Sequence, residues 1–258
     1  MAESARSGGV RIESRGHVGV CTIDDPSTRN ALGPELMRAI VAGLERLDED
    51  PEVRVIALVG RNEVFATGAD PRVLAAAEPD AEAETDFWAR FDAIGAPIVA
   101  GTSGWALGAG CELALACDLV VASKTARFGQ PEVALGLIPG GGAIVRLTHS
   151  IGRQRTMELV LSGGSWSAEQ AHGYGLVNEV ADRRRWLEAT LTRAELIAER
   201  APIALRLAKR AVIAAERDDY ARALETARAL LAEAMKTEDR VEGVNAFLER
   251  REPRFEGR

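Results

Sequence analysis

Residues 104–119 read GWALGAGCELALACDL, with three glycines and one glutamate set ahead of an apolar run. Glycine is unfavourable inside a helix, so the spacing predicts a loop ending at 108–110 and a helix from about Gly110 to Cys117. Glu112 then falls in the first turn. An acid there complements the helix dipole, worth about 0.3–1 kcal/mol, and can simply point into water. The same geometry has a second use. Backbone N–H groups around Ala109 and Gly110 have no partner within the helix and can receive negative charge, with small residues leaving room for a ligand. These residues alone leave both uses open.

Outward from this stretch, strand and helix alternate. HVGVCTI (17–23), VRVIALVG (53–60), APIVAGT (96–102), LVVAS (119–123) and ARFG (126–129) are β-rich, whereas PELMRAIVAGLERLD (34–48) has helical spacing with proline at its start. The alternation predicts an α/β fold. Beyond about residue 200 the strand signals stop, and APIALRLAKRAVIAA, DDYARALETARALLAEAMK and EDRVEGVNAFLERR read as three helices. A boundary near 198 is expected, between a core of residues 1–198 and a helical region of 199–258. The apolar faces of those helices need a cover, either a partner subunit or the core itself.

Composition narrows the function. The chain has 258 residues, 47% of them hydrophobic, enough for a substantial core. A formal charge of -7 argues against nucleic acid or an anionic membrane as partner. No apolar run approaches the roughly 18 residues of a membrane helix, and the N-terminus lacks the apolar stretch of a secretion signal. The three cysteines suit a reducing compartment, so a cytoplasmic protein is expected. His17, His149 and His172 lack metal-ligand spacing, and no metal site is expected. Trp105 and Trp166 read as packing residues.

FATGADPRVL (65–74) repeats the theme of a donor at a turn. Asp70 fits an N-cap with Pro71 as first helical residue, while the Ala69 N–H, just outside, is a candidate free donor. Two such donors on one oxygen would form an oxyanion hole. In ARFGQPEVALGLIPGGG, Glu132 follows Pro131 and could occupy a helix start or turn. No other ionisable residue lies between Phe128 and Ala143, so burial could raise its pKa and suit it to proton transfer.

ALGAGCELALACDL joined to ARFGQPEVALGLIPGGG, with FATGAD and STRNAL upstream and YGLVNEV and the closing TEDRVEGVNAFLERREPRF downstream, resembles the enoyl-CoA hydratase/isomerase (crotonase) superfamily. The resemblance runs from about residue 10 onward. It implies a spiral of repeated ββα units followed by helices that assemble a homotrimer or homohexamer. It also implies an acyl-CoA thioester substrate whose carbonyl oxygen is held by the N–H groups of Ala69 and Ala109, and two catalytic glutamates, Glu112 and Glu132. Gly68, Asp70, Gly108 and Gly140 are expected to line the substrate, with Arg72 and Arg29 near its phosphates; Lys209 and Arg210 could reach a neighbouring subunit's ligand. Coenzyme A is part of the substrate, and no separate cofactor is implied.

The implied activity is addition of water across C2=C3 of a trans-2-enoyl-CoA, with Glu132 exchanging the C2 proton and Glu112 activating water. Alternatives are another reaction on the same scaffold, such as isomerisation or dehydration of a hydroxyacyl thioester, or a non-catalytic acyl-CoA binder. Departures from the family pattern are alanine at 109, Pro71, and the apolar Ile144 and Val145, which bear on the acyl pocket. Other chemistries fit less well. GTSGW around Ser103 breaks the G-x-S-x-G elbow at Trp105, and GAGCEL breaks the dinucleotide fingerprint at Leu113.

Overall fold

The computed structural model describes residues 5–76 and 85–258. Among them, β3 (Val18–Ile23), β4 (Val55–Val59), β6 (Ile98–Thr102) and β8 (Leu119–Ser123) lie parallel in a seven-stranded sheet. One edge is extended antiparallel by β2 (Val10–Arg15) and β1 (Ala5–Ser7), the other in parallel by β11 (Glu179–Ala181). A second, four-stranded sheet holds β5 (Val64–Ala66), β7 (Trp105–Leu107) and β9 (Arg127–Gly129) in parallel, with β10 (Ser165–Ser167) antiparallel at its end.

The chain visits the sheets in turn. β4 leads to β5 and then α2 (Pro71–Ala76) and α3 (Thr85–Asp92); β6 leads to β7 and α4 (Ala109–Ala116). β8 leads to β9, a 3-10 turn (Glu132–Leu135) and α5 (Ala143–Ile151). Each pass is a ββα unit, and three of them wind the expected spiral.

Alternation within the strands explains why they read as unbroken apolar runs. In β4, Ile56 and Leu58 face a core closed by α1 (Pro34–Glu49), through Leu36, Ile40, Val41, Leu44 and Leu47. Val55, Ala57 and Val59 face the other way, against Trp186, Ala194 and Ala198 of α8 (Trp186–Ala198). A parallel sheet covered on both faces selects apolar residues at every position, each large one contributing about 1.5–3 kcal/mol. Between these layers and the tail lie α6 (Arg153–Ser162) and α7 (Ala168–Tyr174). Trp166 is buried edge-on against Tyr174, ring centroids 5.0 Å apart, as expected of a packing residue. Trp105 instead stands at the surface, 40% exposed.

The tail forms α9 (Pro202–Arg217), α10 (Tyr220–Ala234) and α11 (Glu238–Glu249), three helices where three were expected. It docks on the chain's own core. Arg206 meets Asp48 at 2.7 Å, and Arg54 donates to the carbonyls of Ala198 and Phe255 at 3.2 and 2.8 Å. Lys209 does not extend toward a neighbour: it pairs with Asp118 at 2.9 Å and donates to the Ala96 carbonyl at 3.0 Å, because burial of its ammonium demands partners. Arg210 faces Glu233 at 3.8 Å. The tail nevertheless leaves Tyr220, Leu231, Phe247 and Leu248 largely exposed. No helix among the described residues is long and apolar enough to cross a membrane.

Candidate active site

Asn30 anchors the first wall of the site. Fully buried, it donates from Nδ2 to the carbonyls of Ile23 and Phe65 at 3.1 and 2.9 Å and accepts the Asp25 N–H at 2.8 Å. It thereby fastens the end of β3 to β5, one strand of each sheet. The loop so held brings Leu32 beside Ala69: the Leu32 N–H donates to Gly68 at 2.7 Å, and its carbonyl accepts from Asp70 at 3.3 Å. Groups on either side of Ala69 are thus spent on Leu32, and the Ala69 N–H faces the opposite way, without an acceptor among the described residues.

The second donor stands next to it. Ala109, not Gly110, is the first residue of α4, so its N–H is one of the helix's unpaired donors. Gly108 caps the helix at φ 50 and ψ -129, a conformation closed to other residues. The two turns touch: a Cβ on Gly68 would lie 3.0 Å from the Leu107 carbonyl oxygen and 3.7 Å from Gly108 Cα.

Glu112 is not the solvated helix-end acid that its position in a first turn would allow. It is 3% exposed, and its Oε1 accepts the N–H of Ala143 at 3.1 Å. Ala143 opens α5, so the carboxylate sits at a helix N-terminus, where the dipole favours an anion. Glu132 has different surroundings. It is half-buried at the start of the 3-10 turn, and burial pushes its carboxyl above the ordinary glutamate range. Its Oε1 lies over Gly108, 2.9 Å from where a Cβ would stand. The buried Gln130 amide is 3.1 Å from both carboxylate oxygens and can donate to them.

Cys111 links the two acids. Its thiol is pushed up to about 12, first by burial and then by the charges of Glu112 and Glu132, which makes it an inert residue between them. Residues twenty positions apart thus both lie close enough to act on the Cys111 thiol, with Glu132 also beside Gly108.

Other residues singled out by sequence are distributed around this centre. Asp70 is a helix cap, accepting the Arg72 N–H at 2.9 Å, and it also holds the Arg72 guanidinium at 3.0 and 2.7 Å, which keeps its own carboxyl below the usual range. Arg72 is thus committed to its own turn. Arg29 borders the Ala69 turn through its carbonyl, which accepts from Thr67 at 3.2 Å, and lines a neighbouring cavity of about 570 Å³ with Arg61 and Trp186. Gly140 is exposed in the loop leading to α5, with open space where a side chain would stand. Ile144 and Val145 are 37% and 57% exposed. His17 and His172 are engaged with backbone carbonyls, and no group of metal-ligating side chains occurs among the described residues.

Two contributors went unnoticed in the sequence. Gly141 packs so closely that a Cβ would be 2.3 Å from Trp88 Cζ2 and 2.8 Å from Glu112 Oε2. The Trp88 indole N–H is buried without an acceptor, an arrangement that costs about 1–3 kcal/mol.

The chain resembles known proteins over nearly its whole length. A family model described as enoyl-CoA hydratase/isomerase matches residues 13–258. The chain is 40% identical to the 2,3-dehydroadipyl-CoA hydratase of Escherichia coli (strain K12), over 92% of this chain and 94% of that protein. It is 39% identical to a probable enoyl-CoA hydratase of Rhizobium meliloti, covering 96% and 97% respectively. The crystal structure of an enoyl-CoA hydratase subunit from Geobacillus kaustophilus superposes with a TM-score of 0.93 at 39% identity, covering 97% of this chain and 98% of that one.

Proposed function

Because the chain belongs to the enoyl-CoA hydratase/isomerase family, we propose that it adds water across the C2=C3 bond of a trans-2-enoyl-CoA thioester. What supports this reading is the placement of two carboxyl groups, in different surroundings, both close enough to act on Cys111 and near two backbone donors without partners. Hydration needs a base to take a proton from water as its oxygen bonds to C3, and an acid to protonate C2. Electrons of the double bond move onto the thioester oxygen as an enolate and return when C2 takes its proton.

The N–H groups of Ala69 and Ala109 would carry that oxyanion, where each donor is typically worth a few kcal/mol. Glu112, whose Oε1 accepts the Ala143 N–H at the start of α5, is suited to direct the water. Glu132, whose proton affinity burial raises, is suited to deliver a proton to C2. Gly68, Gly108 and Gly140 supply backbone without side-chain bulk along the acyl path. The chemistry is acid–base throughout and draws on no cofactor; coenzyme A enters and leaves with the substrate. Apolar residues left bare on α10 and α11 support a homotrimer or homohexamer.

The test follows loss of the enoyl thioester absorbance with crotonyl-CoA, with 2,3-dehydroadipyl-CoA alongside it as the acyl group named for the Escherichia coli relative. Glu112→Gln and Glu132→Gln are each expected to lower turnover by at least about a hundredfold, the scale of general acid–base catalysis. Unchanged turnover in either variant removes that residue from the mechanism; isomerised product alone would replace hydration by isomerisation.

A further inference from the structure

TDFWARFD, the sequence of α3, places Trp88 between Phe87 and Phe91, with ring centroids 5.0 and 6.5 Å away. Three aromatics on one short helix read as packing, and two of them are only that. Trp88 differs in where its polar atom goes. Its Nε1 is wholly buried and has no acceptor, whereas a buried indole N–H usually finds one.

The position of the ring narrows what the missing acceptor is. A Cβ on Gly141 would lie 2.3 Å from Cζ2 and 2.5 Å from Cε2 of Trp88, and 2.8 Å from Oε2 of Glu112. Indole edge and carboxylate oxygen therefore meet over one glycine, and Cε2 is the carbon bonded to Nε1. Oε1 of Glu112 is engaged by the Ala143 N–H, so Oε2 is the oxygen on the indole side. Arg146 steadies the same loop, donating to the Gly141 carbonyl at 2.8 Å with its guanidinium 5.9 Å from the Trp88 ring centroid. In unliganded sites, working hydrogen bonds are commonly long and shorten when substrate is bound.

We propose that Trp88 is a positioning residue: its indole N–H closes onto Oε2 of Glu112 when an acyl thioester fills the site, fixing the carboxylate that directs the water. Trp88 then adds a protein donor at Oε2 to the one that Ala143 supplies at Oε1. The inference rests on the hydratase reading and extends it from the two acids to the residue that aims one of them.

Trp88→Phe keeps an aromatic ring and deletes the N–H. With crotonyl-CoA it is expected to lower kcat by about 10- to 100-fold, the range for one N–H donated to a charged acceptor, while KM stays within about threefold. In a Glu112→Ala background the same substitution is expected to cost less than about twofold, since its target is gone. An unchanged kcat, or an equal loss in both backgrounds, overturns the proposal. Should Trp88→Phe fail to fold, the indole ¹H–¹⁵N resonance of the wild-type protein decides: it is expected to move downfield on addition of butanoyl-CoA and to stay put in Glu112→Ala. A resonance that does not move overturns the proposal. Failure of the wild-type protein to hydrate any enoyl-CoA would instead sink the functional reading, so the two failures are separable.

Discussion

Glu112 and Glu132 carry the same functional group into different settings, one buried against the Ala143 N–H and the other half-buried beside Gly108. One consequence can be measured without substrate. Burial raises Glu132 above the 4.5 of an ordinary glutamate, so the folded protein holds this proton to higher pH than the unfolded chain does. Stability from that site is full below about pH 4.5 and is lost as pH rises through the folded value. Glu132→Gln cannot ionise, so its Tm relative to wild type is expected to rise between about pH 5 and about pH 8; a difference flat with pH refutes the raised value. At Gly108, alanine would have to adopt φ 50 and place a Cβ 2.9 Å from Glu132 Oε1. Gly108→Ala is therefore expected to lose at least about 1–3 kcal/mol of stability in denaturant titration, and most of its turnover with it. Both glutamates were visible in the sequence because each interrupts an apolar, uncharged neighbourhood. Trp88 and Gly141 were not, because their role arises only when α3 and the loop before α5 come together, and neither stretch records that meeting locally.

Elements position those residues through close backbone packing. α4 can lie on β5 only because Gly110 has no side chain, as a Cβ there would stand 2.3 Å from the Ala66 carbonyl oxygen. Gly110→Ala is expected to shift α4 and the Ala109 N–H together, lowering both Tm and kcat with crotonyl-CoA; a variant that melts lower yet turns over normally would separate the helix from the chemistry. Strands β3, β4, β6 and β8 were legible as apolar runs, and α1 and the tail helices from their 3.6-residue spacing. The stretch from 143 to 198 yielded no elements from periodicity, although it forms α5 to α8. Of these, α5 to α7 are only seven to ten residues long, and Ala143 and Leu147 of α5 pack with Leu159 of α6 and Trp166 of β10 rather than with the main core. A local pattern cannot register a partner supplied by a later turn of the fold.

At the scale of the whole molecule, the spiral core and the three tail helices behave as one body, tied by Arg54, Arg206 and Lys209. The change of composition near 198 showed where the helices begin and left open what they cover. They cover the core on one side and present Tyr220, Leu231, Phe247 and Leu248, each at least 62% exposed, on the other. Exposed apolar side chains of this size favour association. Native mass measurement is expected to show three or six chains, and replacing Phe247 and Leu248 together by Asp to yield smaller species with a lower Tm; a stable wild-type monomer would contradict it.

Asn30 welds the donor turns into both sheets, so amide exchange at Leu32 and Asp70 is expected only with global opening. The loop from Gly136 to Gly140 is different: four of its five residues are exposed and it bears on α5 from outside. The Ala69 turn is thus built into the scaffold, while the loop before α5 hangs from it. Selection, or an engineer, could therefore trade residues along that loop without reopening the foundations that Asn30 secures.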